Sequence, residues 1–134
     1  MAISAAMVKE LRERTGLGMM DCKKALAEAG GDMDQAIEDL RKKSSLKAAK
    51  KAGRRAANGL LGMKSSEDGT RIALVEVNIE TDFAAKNEKF IAFVSKVAQT
   101  LFDSGDMDSV TQTQNAERET LVQEIGENMA IRRG

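Results

Sequence analysis

The sequence has no histidine, proline, tryptophan or tyrosine, and its 134 residues include one cysteine and four phenylalanines. Each absence excludes something. Histidine is the commonest general base and metal ligand near neutral pH, so its lack argues against an enzyme and against a metal centre. The lone Cys22 has no imidazole to activate it and no partner for an internal disulfide, which favours a reducing, cytoplasmic setting. No apolar run approaches the ~18 residues of a membrane span, and the N-terminus lacks the apolar h-region of a signal peptide. There is no glycine-rich phosphate loop and no ligand-spaced cluster, so neither cofactor nor metal is expected. Net charge is missing as well, because 21 Lys and Arg balance 21 Asp and Glu. What is present is a 42% apolar, 31% charged chain, the composition of a folded domain rather than a disordered one. A binding module fits this inventory better than a catalyst.

The charge balance hides an asymmetry. Residues 1–58 carry 13 basic and 8 acidic side chains, and residues 59–134 the reverse. From Arg41 to Arg55 there are eight basic residues and no acid, which marks a candidate boundary. Before it, Ser4 caps a predicted helix with Met7, Val8 and Leu11 inward. Thr15-Gly16-Leu17-Gly18 breaks that helix, since glycine accepts backbone angles other residues resist. A second predicted helix, from about Met20, carries Cys22, Ala25, Leu26 and Ala29 at helical spacing and closes at Gly30-Gly31. Asp32 with Gln35 resembles a capping box for a third, whose inner face is Met33, Ala36, Ile37 and Leu40.

Ser44 to Asn58 reads as a fourth, basic helix, a linker with a Leu46, Ala49, Ala52, Ala56 stripe. Leu60–Lys64, a turn at Ser66-Glu67-Asp68-Gly69, and Arg71–Ile79 read as a β-hairpin with Ala73, Val75, Val77 and Ile79 on one face. Phe90, Phe93, Val94, Val97, Ala98, Leu101 and Phe102 then follow the i, i+3, i+4, i+7 series of a long helix. A last helix is expected near Ala116–Ile125, and Met129–Arg132 as a returning strand. The expected fold class is α+β. A three-helix bundle (1–45) is followed by a basic linker helix (46–58), then by a small antiparallel sheet packed against a long helix (59–134).

Three stretches are candidates for contact with a partner. Met19-Met20 opens the second helix, where the flexible thioethers suit a groove on another protein or the core of a small bundle. Phe83 lies two turns before Phe90, so it either extends that helix's stripe or, with Lys86 and Asn87 intervening, stands out as an exposed plug. Spacing leaves both alternatives open. The basic block could hold phosphates, but no aromatic is interleaved with it, and a solvated helical face is the favoured reading over nucleic-acid binding.

The residues Val8-Lys-Glu-Leu-Arg-Glu-Arg-Thr-Gly-Leu-Gly-Met-Met-Asp-Cys-Lys-Lys-Ala-Leu26 resemble the N-terminal signature of the bacterial translation elongation factor Ts family. Thr81-Asp-Phe-Ala-Ala-Lys86 resembles its second signature, with Ala84 where valine is usual, and Ile125-Gly-Glu-Asn-Met-Ala-Ile-Arg-Arg133 a third. The three stand in family order across nearly the whole chain.

The resemblance implies a ubiquitin-associated-like bundle that docks on the G domain of elongation factor Tu, the expected partner. It further implies that Arg12, Met19, Met20, Thr81, Asp82, Phe83, Ile125 and Gly126 belong to the contact surface. Phe83 would wedge near the magnesium and phosphate sites of that partner and promote GDP release, with no catalytic residue. Family members usually continue past the third signature into a second core half and a helical dimerisation element, whereas this sequence stops at Gly134. The expectation is therefore a minimal, phage-type form or a fragment, with weaker affinity and no family-type homodimer. The alternative is an adaptor that binds elongation factor Tu without efficient exchange.

Overall fold

A computed structural model describes residues 2–134 as six helices and a three-stranded sheet. The first three helices form the expected bundle. Helix α1 (Ala5–Thr15) starts at Ser4, whose hydroxyl accepts from the Met7 amide, and ends at Gly16. Helix α2 (Met19–Glu28) follows at once, one residue earlier than the spacing suggested. Val8, Leu11, Leu17, Cys22, Ala25, Leu26, Ala36 and Leu40 are buried together, with Met7 and Met33 at the margin. Asp32 accepts from the Gln35 amide as an N-cap. The reciprocal half of the capping box is absent, because the Gln35 amide group donates to Asp39 instead.

Helix α3 departs from expectation. It runs unbroken from Met33 to Lys51, so the basic stretch 46–51 is its C-terminal end and not a separate linker helix. The expected Leu46, Ala49, Ala52, Ala56 stripe is not the packed face: Leu46 is 64% exposed, and Ser44 and Ala48 are buried. A continuous helix keeps its phase, so positions 36, 40, 44 and 48 share one face at i+4 spacing. Ser44 donates to the Gln123 side chain across that face, and Ala48 joins the second hydrophobic cluster.

That second cluster is built on the sheet. Strands β1 (Asn58–Ser65) and β2 (Ile72–Ile79) form the expected hairpin, and β3 (Met129–Arg133) pairs antiparallel with β2, giving the order β1-β2-β3. Val75, Val77 and Ile79 point inward against Phe90, Phe93, Val94 and Val97 of helix α5 (Glu88–Ser104). Each such side chain contributes roughly 1.5–3 kcal/mol by leaving water. Gly62 lets β1 approach α5 closely, since a β-carbon there would sit 2.7 Å from Val94 Cγ1. Helix α6 (Met107–Ile125) is nine residues longer than expected and adds Val110, Leu121 and Val122 to the cluster. Its first half is rich in Thr, Ser and Asn, poor helix formers; the Asp106 side chain, accepting from the Asp108 and Ser109 amides, starts it nonetheless. No helix among the described residues is long and apolar enough to cross a membrane.

Candidate functional site

The candidate residues fall into two patches. The first lies where β2 leaves the sheet. Thr81 caps a four-residue helix, α4 (Asp82–Ala85), its hydroxyl accepting from the Ala84 amide at 3.2 Å. Asn87 then caps α5, accepting from the Lys89 amide at 2.8 Å, so Phe83 and Phe90 belong to different helices. Ala84 and Ala85 are buried in the sheet cluster. Successive helical residues point ~100° apart, and burying those two alanines turns Phe83 outward. Phe83 is 83% exposed. Of the two alternatives spacing left open, the structure has the exposed one.

Ile125 and Gly126 reach the same place from the other side. Helix α6 ends at Gly126, whose φ of 84° is left-handed and whose N–H donates to the Val122 carbonyl. The antiparallel register Ile79↔Met129, carried outward, sets Thr81 beside Glu127. Glu127 accepts from both the Thr81 amide and the Thr81 hydroxyl, each at 2.8 Å. Thr81, Asp82, Phe83, Ile125 and Gly126 are thus gathered at one end of the sheet, with Phe83 projecting from it.

The second patch is on the bundle. Met19 is 57% and Met20 74% exposed, so neither is a core residue. Gly18 starts α2 without a side-chain cap, and both methionines lie in the first turn, ahead of the buried Cys22. Arg12 and Met19 border a cavity of about 330 Å3 that Val8, Lys9 and Lys23 also line. It is an apolar hollow with a cationic rim. The structure does not bring this patch together with Phe83; α1 and α2 pack on α3, and α4 packs on the sheet and α5.

Two carboxylates with lowered pKa lie on the hairpin, away from both patches. The Asp68 carboxylate, hydrogen-bonded by Ser66 and Thr70 in the hairpin turn, is lowered from 3.8 to about 2. A hydrogen bond from Asn78, aided by Arg133, lowers the Glu76 carboxyl. Among the described residues no group of three or more Cys, Asp or Glu side chains is placed to hold a metal. Sequence reasoning gave no role to Glu127 or Asn128. Both fall within the third motif, but their partners are 46 or more residues away, and no local pattern carries that signal.

By class this is an α+β protein, a small helical bundle joined to a sheet-and-helix core, each bearing exposed apolar side chains. The elongation factor TS family model matches residues 80–134. Over 135 aligned residues the chain is 56% identical to Elongation factor Ts of Hahella chejuensis, covering 98% of this chain and 47% of that protein. Elongation factor Ts of Teredinibacter turnerae is 57% identical over 99% of the chain and 46% of its own length. The Arthrospira platensis protein of the same name is 50% identical over 98% and 57%. The chain belongs to the elongation factor Ts family. It spans about half the length of the curated relatives it matches.

Proposed function

We propose that this chain is a guanine-nucleotide exchange factor in translation elongation, acting in the cytoplasm on the G domain of elongation factor Tu. The exposure of Phe83 carries the reading. An aromatic ring held outside by two buried neighbours costs the free protein an unfavourable apolar surface, and burying it in a partner recovers roughly 1.5–3 kcal/mol. In this reading Phe83, with Asp82, Thr81, Ile125 and Gly126 around it, enters the G domain near its magnesium and phosphate sites, while Arg12, Met19 and Met20 dock the bundle beside it.

No general acid or base is required. A factor that binds the nucleotide-free state more tightly than the nucleotide-bound one shifts the equilibrium between them. Linkage then obliges it to weaken nucleotide affinity by the factor by which nucleotide weakens its own. The test is stopped-flow release of fluorescent GDP from elongation factor Tu. The chain should accelerate release, and Phe83→Ala should remove most of the acceleration; release at the intrinsic rate would refute exchange. The same exposed apolar side chains would also serve a second reading, an adaptor that binds elongation factor Tu without efficient exchange. Co-purification with an unchanged GDP off-rate would favour it.

A further inference from the structure

Backbone pairing between β2 and β3 ends at Ile79↔Met129, yet the two segments stay tied beyond that point by hydrogen bonds that each use a side chain. The Asn128 amide donates to Glu80 Oε2 at 3.3 Å. The Asn128 side chain, buried, donates to the Arg54 carbonyl at 2.8 Å, just past the end of α3. One residue back, the Glu127 carboxylate takes both donors of Thr81: Oε1 accepts the amide and Oε2 the hydroxyl, each at 2.8 Å. That hydroxyl is the N-cap of α4, accepting from the Ala84 amide. The left-handed turn at Gly126 delivers Glu127 to this position.

A four-residue helix cannot persist by its own propensity, because the first turn of any helix is the costly one. The direction of the Phe83 ring therefore depends on what anchors α4 at each end. Buried Ala84 and Ala85 anchor its inner side, and Asn87 closes it on α5. At its start, both donors of the cap residue are held by a single carboxylate, and hydrogen bonds to a charged acceptor are the strong ones. We infer that Glu127 is a positioning residue for the Phe83 wedge: its carboxylate locks the Thr81 cap and so orders α4 before any partner arrives. The ordering cost that binding would otherwise bear is met within the fold. This inference rests on the reading of Phe83 as the inserted ring, and it assigns Glu127 no contact with the partner.

The test uses the full chain in five forms: wild type, Glu127→Ala, Glu127→Gln, Phe83→Ala and the Glu127→Ala, Phe83→Ala double variant. In the free protein, NMR hydrogen exchange at the Thr81 and Ala84 amides should quicken about tenfold or more in Glu127→Ala, the scale of one charge-assisted hydrogen bond. The amides of α5 should keep their protection, which shows that the variant folds. In GDP release from elongation factor Tu, Glu127→Ala should lose about tenfold of the acceleration. Glu127→Gln, which keeps one acceptor oxygen, should fall between the two. In the Phe83→Ala background the Glu127 substitution should change nothing further, because a positioning residue has no effect once the group it positions is gone. Wild-type rates in Glu127→Ala, or an equal loss with and without the Phe83 ring, would overturn the inference. If wild type fails to accelerate release, the exchange reading falls instead. The clamp is then judged on the free protein alone, where unchanged Thr81 and Ala84 protection overturns it.

Discussion

Phe83 is the only phenylalanine of the four that lies mostly in solvent; Phe90 and Phe93 are buried, and Phe102 is half-buried under the Arg71 guanidinium at 4.3 Å. An exposed ring supports no core, so Phe83→Ala should change stability by less than ~0.5 kcal/mol in urea unfolding. A substantial loss of stability would mean that the ring packs on its own protein. Gly126 presents the opposite case. Its left-handed backbone is strained for any residue with a β-carbon, so Gly126→Ala should cost roughly 1–2 kcal/mol by the same measurement. Met19 and Met20 resemble Phe83 in being apolar side chains kept outside a core that Cys22, Ala25 and Leu26 already fill.

At the scale of the element, α3 is the decisive case. One 19-residue helix supplies Ala36 and Leu40 to the bundle and Ala48 to the sheet cluster. A single phase over that length predicts opposite outcomes for two apolar positions two residues apart. Leu46→Glu, on the solvent side, should leave thermal stability nearly unchanged. Ala48→Glu, which buries an unpaired charge, should cost ~3 kcal/mol or more. The reverse pattern would restore the Leu46 stripe that spacing suggested.

The hairpin turn offers a test of another kind. Asp68 sits below its ordinary value of 3.8, at about 2, because Ser66 and Thr70 donate to its charged form. The depressed folded-state value means that the carboxylate stabilises the turn above pH ~4, and that this contribution is lost as pH falls through about 2. An NMR titration of the Asp68 side chain should show a midpoint near 2. A midpoint at the ordinary value would break the assigned hydrogen bonds.

At the scale of the whole molecule, two hydrophobic clusters are joined by one helix, and α3 also packs along α6. They should therefore unfold together: hydrogen exchange at Leu26 and at Val97 in rising urea should report one midpoint. Lys47→Pro, which breaks α3 between the clusters at a cost of about 3 kcal/mol, should split that transition in two. The outer face of the sheet is a further exposed apolar surface, with Leu61, Met63, Ile72 and Leu74 all more than half exposed. Met63 and Leu74 are direct cross-strand neighbours on it.

The features legible in the amino-acid sequence are those that depend on near neighbours. These include the caps at Ser4 and Asp32, the turns at Gly16 and Gly30-Gly31, the alternation of β2 and the apolar stripe of α5. Each is a matter of local backbone energetics or of one element's own periodicity. The family motifs likewise named Thr81, Asp82, Phe83, Ile125 and Gly126 as candidates. The rest came from long-range packing. It made the basic stretch part of α3, because packing of Ser44 and Ala48 against the core outweighs a change of charge pattern. It extended α6 through weak helix formers, because Val110 is wholly buried. It put Phe83 in solvent and tied Thr81 to Glu127, since both depend on residues far apart in sequence meeting at the end of one sheet.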